Sequence, residues 1–231
     1  MNKLCGYIQN YEEAVLMVHT TRLGYLVPIT QRLKMEEREG LRSGDIFVFV
    51  ESENGMKRWT DGRIWSPSKI SGQFLLYKEV PRHLSKSAIK KRNAQKHLYR
   101  DELQRIGKEL KDEDRLAFHK KTISIVHQDK TYHIIGYFRP LFSKEPLTSI
   151  PFFKQIDKAL KLYPELLDDK FVSQEIKSGN FYEKYNLPIE PNASIYTEAK
   201  RIQLENIAVC VLGEWITTKQ QELCSGNPNN D

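Results

Sequence analysis

Residues 122–135 read Thr122-Ile123-Ser124-Ile125-Val126-His127-Gln128-Asp129-Lys130-Thr131-Tyr132-His133-Ile134-Ile135. Two alternating, β-branched and aromatic runs flank the polar tetrapeptide His127–Lys130. A period of two with a polar break predicts an antiparallel β-hairpin. An isolated hairpin is not stable in water. Its strands therefore need partners from elsewhere in the chain, and the search for them organises the rest of the sequence.

Upstream, Ile46-Phe47-Val48-Phe49-Val50 is a continuous apolar run. It is too short for a helix and lies between Gly44-Asp45 and Glu53-Asn54-Gly55, so it predicts a buried strand followed by a tight turn. Phe74-Leu75-Leu76-Tyr77 predicts another strand, and residues 4–9 a weak first one. Asn10 reads as a helix N-cap, with Glu13 completing a near capping box. Ala14, Val15, Val18 and Leu23 follow at helical spacing and Gly24 supplies a stop, so a helix is expected over 11–23. Residues 27–30 read as extended and 34–40 as a short polar helical turn. Helices are expected over 150–163 and 169–178, and a loop over 179–196 with Pro188 and Pro191. Residues 202–216 fit helix and strand equally. Residues 223–231 read as the start of a disordered polar tail. No internal repeat is visible.

The chain has 231 residues, 39% of them hydrophobic and 29% charged, with a formal net charge of +6. That suits a soluble globular protein, and no apolar run reaches the ~18 residues of a membrane span. No signal-peptide segment opens the chain, which points to the cytosol or nucleus. Cys5, Cys210 and Cys224 are too few and too far apart for a disulfide framework or a zinc half-site. Basicity is local: residues 81–121 hold 13 basic and 6 acidic side chains, whereas 122–231 hold 12 and 14. Residues 81–116 read as a variable, weakly amphipathic basic insertion.

The stretch Met56-Lys57-Arg58-Trp59-Thr60-Asp61-Gly62-Arg63-Ile64-Trp65-Ser66-Pro67-Ser68-Lys69 holds four cations, one acid and two of the three tryptophans. It is slung between predicted buried strands. Cations interleaved with aromatics and hydroxyls suit a nucleic-acid surface, and Gly62 permits close approach of backbone to a ligand. A tryptophan between strands is, however, more often a core plug than a stacking platform. Both readings stay open on the residues alone.

Catalysis finds little support. His119, His127 and His133 cluster around one hairpin without a recognised metal-ligand spacing. Asp45, Glu51 and Lys57 lack the convergence that two-metal nuclease chemistry needs. No phosphate loop, nucleophile elbow or activated-cysteine motif is present. No enzyme activity, metal, cofactor, small-molecule ligand or membrane is expected.

Residues 6–33, 41–79 and 120–140 together resemble the WOPR-domain family of fungal transcription regulators. The run Lys57-Arg58-Trp59-Thr60-Asp61-Gly62-Arg63, continuing through Trp65-Ser66-Pro67-Ser68-Lys69 to Gly72, Phe74, Leu75, Tyr77, Lys78 and Glu79, carries its signature without a gap. The resemblance implies sequence-specific binding of double-stranded DNA by two segments, 4–80 and 117–150, separated by the 81–116 linker and folding as one unit. It also implies AT-rich promoter elements, control of morphology and cell fate, action in the nucleus, and a longer regulator of which this chain is an N-terminal portion. The expected fold is α+β: one globular unit over 1–231, with a mainly antiparallel sheet completed by both segments. Helices flank it, with C-terminal helices reaching to about 222.

On that reading the 56–69 loop lies on DNA. Arg63 and Arg58 are the candidates for groove insertion, because narrow AT-rich minor grooves attract arginine. Lys57, Lys69, Lys120 and Lys121 are expected at phosphates, with Thr60, Ser66 and Ser68 adding neutral contacts. Arg22, Arg32 and Arg42 are second-rank phosphate candidates. Trp59 and Trp65 are assigned to anchoring the loop, since duplex bases are not available for stacking. Asp61 is expected to fix the Gly62 turn or orient an arginine. Lys57-Arg58-Trp59-Thr60 fits a basophilic kinase site, with Thr60 as acceptor; the resemblance points to protein kinase A. Lys90, Lys91, Arg92 and Lys96 form a candidate nuclear localisation signal, or else a solvated helix face. Two rivals remain: a single-strand binder using the tryptophans as platforms, and a module docking acidic proteins.

Overall fold

The computed structural model describes residues 4–52, 55–80, 117–140 and 146–189. The basic insertion, the candidate localisation signal, residues 202–216 and the tail lie outside the described residues.

The predicted hairpin forms the middle of a sheet. Strands β1 (Leu4–Cys5), β2 (Asp45–Val50), β3 (Lys69–Ser71), β4 (Phe74–Lys78), β5 (His119–His127) and β6 (Lys130–Phe138) line up in the order β1-β2-β6-β5-β4-β3. Every pairing is antiparallel. The β5–β6 hairpin thus enters between β2 and β4, with Phe47 opposite Ile135 and Leu76 opposite Lys121. Its strands are longer than the alternation suggested, and only Gln128 and Asp129 turn the corner. Gln128 takes a positive φ of 50° there, as the first residue of a two-residue primed turn must.

Parity divides the strand side chains between two cores. Ile46 and Val48 of β2, Ile123 and Ile125 of β5, and Tyr132 and Ile134 of β6 face a layer of helices. Phe47, Phe49, Ile135 and Tyr137 face the opposite way, where Leu33, Leu41, Met56 and Phe118 join them. Burial on both faces explains why β2 is continuously apolar from Ile46 to Val50.

The helical layer is led by α1 (Tyr11–Arg22). Asn10 caps it: its side chain accepts from the Glu13 amide at 2.9 Å, and the Glu13 carboxylate accepts from the Gln9 amide at 2.7 Å. Gly24, at φ +82°, turns the chain out of the helix. Thr20 and Thr21 are buried on α1 and bond back to the carbonyls of Leu16 and Met17, so this helix is enclosed on more sides than its apolar stripe implies. A short α2 (Met35–Glu39) follows, and Ile29 of the extended stretch donates to Val48 at 2.8 Å alongside β2. A 3-10 turn at Leu147–Ser149 leads into α3 (Pro151–Leu162), and a second at Pro164–Leu167 leads into α4 (Asp169–Glu175), which α5 (Phe181–Lys184) follows.

Two elements depart from expectation. Strand β3 carries no periodic signal because all three of its residues are exposed. Helix α5 lies where a loop was expected; its Phe181 is fully buried, and Tyr182 and Tyr25 tie that segment to the end of α1 through the carbonyls of Leu23 and Pro188.

Candidate nucleic-acid interface

The 56–66 stretch lies over the second face of the sheet. Met56 enters its core, Trp59 packs at 5.1 Å from Phe47 and stacks over Phe49, and Trp65 packs at about 6 Å from Phe118 and Tyr137. Residues 64–66 are stitched to the end of β4: Val80 donates to Ile64, and Ser66 donates to Lys78, both at 2.8 Å.

Asp61 is the hub of this layer, at 4% exposure. It accepts from the Trp65 indole at 3.0 Å, the Lys120 ammonium at 3.0 Å, the Tyr137 hydroxyl at 2.7 Å and the Arg63 amide at 3.1 Å. The Tyr137 oxygen in turn accepts from the Trp59 indole at 2.6 Å. Burial alone would raise the Asp61 carboxyl; the Trp65 indole, the Lys120 charge and the other donors outweigh it and hold the group below the usual carboxylate range. Burial and the Asp61 carboxylate push the Tyr137 hydroxyl well up, which keeps it a proton donor. The bond to the Arg63 amide closes the turn at Gly62, whose φ of +72° favours glycine. A side chain there would also meet the Arg38 stem, 3.1 Å from the position of a Cβ.

Arg63 is half-buried. Its guanidinium bonds Glu79 at 2.6 Å and lies 4.8 Å from the centre of the Phe118 ring. Its Nε is buried without a partner among the described residues. The arginine singled out for groove insertion thus already holds a carboxylate.

Lys57, Arg58, Thr60, Ser68 and Lys69 are exposed, as are Arg32 and Arg42. Lys57 and Arg58 stand with Trp59 on one side of a groove of about 360 Å³. The sheet supplies the other side through Tyr77, Thr122 and His133; His133 stacks at 4.4 Å on Phe49.

Four residues expected at phosphates or polar contacts already have partners within the protein. Lys120 is 8% exposed, bonded to Asp61 and set 4.3 Å from the Trp65 ring. Lys121, one residue on, points to the opposite face of the sheet, as strand parity requires. There its ammonium donates to the carbonyls of Ile8 and Gln9 and caps the Phe74 ring at 3.9 Å. The Arg22 side chain is 2% exposed and clamps α1 to the Asp169 carboxylate and the carbonyls of Leu166 and Leu167. Ser66 accepts from the Lys78 amide at 3.0 Å, so its hydroxyl is spent on the strand pairing.

Sequence reasoning missed Tyr137 and Glu79. Tyr137 shares a face with Phe47 and Phe49 only once the β2–β6 register is fixed. Glu79 did carry a signal: it ends the same signature run that holds Arg63, sixteen residues on.

The loop and strands β1 to β4 fall within a family match, which ends before β5 and β6. Residues 4–115 match the model described as the Gti1/Pac2 family. The chain is similar to the cAMP-independent regulatory protein pac2 of Schizosaccharomyces pombe, 41% identical over 80 residues that make up 35% of this chain and 34% of that protein. It is also similar to the transcriptional regulator MIT1 of Saccharomyces cerevisiae, 51% identical over 76 residues, 32% of this chain and 11% of that one. The matched segment therefore spans 34% and 11% of the length of these two relatives. Among solved structures, a complex of the WOPR domain of Wor1 from Candida albicans with 13-bp double-stranded DNA aligns over 78% of this chain and 98% of that one, at 24% identity and a TM-score of 0.49.

Proposed function

Since the chain belongs to the Gti1/Pac2 (WOPR) family of fungal transcription regulators, we propose that it binds double-stranded DNA sequence-specifically and regulates transcription in the nucleus, reading an AT-rich element through the 56–69 loop. The observation that carries this reading is the division of labour within the loop. Its tryptophans and Asp61 are bonded inward, while Lys57, Arg58 and Lys69 remain exposed, with no side-chain partner among the described residues. A braced loop presenting unpaired cations suits a phosphate backbone and a narrow groove. Arg58 is the leading candidate for the groove. Lys57, Lys69, Arg32 and Arg42 are candidates for phosphates, with Thr60 and Ser68 adding neutral contacts. The inward bonding of both indoles disfavours single-strand stacking on Trp59 and Trp65.

Titration of Arg58→Ala against AT-rich and scrambled duplexes at fixed salt tests the groove assignment. The expected loss is ~1–3 kcal/mol on the AT-rich site alone; equal losses on both sequences make Arg58 a phosphate contact instead. Lys57→Ala is expected to weaken both alike and to lower the salt slope by about one unit.

Thr60 is exposed beside Lys57 and Arg58, so a kinase has access to it. A phosphate there would add about −2 charge to the cationic rim. Phosphorylated protein is expected to shift less duplex in a gel assay; equal shifts for both forms would exclude Thr60 as a switch.

A further inference from the structure

We infer that the cross-strand pair Lys120 and Tyr137 of the central hairpin positions the DNA-reading loop, acting through Asp61 without touching DNA. The inference rests on the proposed DNA-binding reading and names the residues that set the loop's shape.

Lys120 and Tyr137 are direct register partners on β5 and β6. Both point to the face that the loop covers, and both end on Asp61 Oδ2, at 3.0 and 2.7 Å. Trp65 reaches the same carboxylate from the loop, and Trp59 joins through the Tyr137 oxygen. Each anchoring indole is therefore one hydrogen bond from an atom supplied or gripped by the hairpin. Between those anchors lie Thr60, Gly62 and Arg63, and Arg58 precedes Trp59 by one residue. The path of the loop's cations is set by a rigid pair of strands more than fifty residues away in sequence.

The network also explains why a lysine is buried there. An ionised carboxylate in a desolvated layer needs a countercharge and several donors. Removing one donor leaves Asp61 or an indole N–H unsatisfied, and the loop relieves that by moving towards water. The sheet beneath keeps its own ladder and its Phe47, Phe49 and Ile135 packing, so the loop yields before the fold does.

The test uses Tyr137→Phe, which deletes one hydroxyl, and Lys120→Met, which deletes the charge while keeping the stem. For each, the indole Nε1–H resonances of Trp59 and Trp65 are followed by NMR, together with duplex affinity and its salt dependence. The expected result is a cooperative thermal transition, displaced or broadened indole signals, and duplex binding weaker by roughly tenfold at unchanged salt slope, because no phosphate contact is lost. Should Lys120→Met fail to fold, Tyr137→Phe decides alone. Unmoved indole signals, or affinity within about twofold of the parent, overturn the inference. A salt slope lowered by about one unit in Lys120→Met also overturns it, since the ammonium would then be a phosphate ligand. If the parent itself binds no duplex at low salt, the DNA reading fails, and the indole signals still decide whether the pair positions the loop.

Discussion

Arg63 and Arg58 lie five positions apart on one loop, yet the molecule treats them oppositely. Arg58 is exposed, whereas Arg63 rests on Phe118 and holds Glu79. With side chains 24% and 30% exposed, that pair contributes only ~0–1 kcal/mol to folding. Its larger effect is on charge: Glu79 neutralises one cation of the proposed DNA face. Glu79→Gln is expected to raise affinity for scrambled duplex several-fold and to steepen the salt slope by about one unit, with little change in thermal stability. A fall in affinity would show that Glu79 instead holds Arg63 in its working position. At this scale the sequence displayed the cations but not their availability. Lys57, Arg58, Arg63, Lys120 and Lys121 look equivalent as letters. Strand parity and the β4–β5 and β5–β6 registers separate them, and no local pattern encodes a register between strands so far apart.

Among the elements, α1, the β5–β6 turn and the start of α4 meet at a junction of titratable groups. Arg22 donates to His19 Nδ1 at 2.8 Å, which requires that nitrogen to be unprotonated. The His19 and His127 rings meet edge to face at 5.3 Å, and His127 and Lys130 both approach Asp169. Burial, reinforced by the Arg22 charge, pulls His19 down to about 4. Between that value and the unfolded value of about 6.5, only the unfolded chain takes up the proton, so stability falls as pH is lowered. The loss should reach about 2 kcal/mol between pH 7.5 and 5. Asp169, held below its usual range against burial by Arg22, adds a loss of the same sign in stronger acid. Urea midpoints at the two pH values measure the effect, and His19→Asn should flatten it; an unchanged slope would assign the acid sensitivity to other groups. The elements themselves were largely legible. The hairpin, β2 and the Asn10 cap follow from periodicity and cap chemistry, which are local. Strand β3 and α5 were not, because three exposed residues and one buried Phe181 leave no repeating signal.

At the scale of the whole molecule, the described residues stack in three layers: helices, the six-stranded sheet, and the 56–66 stretch with α2. The need for two segments was readable from the sequence, since neither held enough strands. That the second segment enters the middle of the sheet was not, because alternation says which face a residue takes and nothing about which neighbour it takes. The strand order has a consequence for synthesis. Strands β1 and β2, and separately β3 and β4, can pair soon after they leave the ribosome, but the two halves share no direct pairing. At about 5–20 residues per second, the interval between the emergence of Lys78 and that of Phe138 is roughly 3–12 s. Throughout it, the inner edge of β2 presents Phe47, Val48 and Phe49 with no strand alongside, a template for pairing with other nascent chains. The vulnerable moment in the life of this protein is therefore translation, and slowing the ribosome across 81–118 should raise aggregation of the newborn chain more than slowing it anywhere after Phe138.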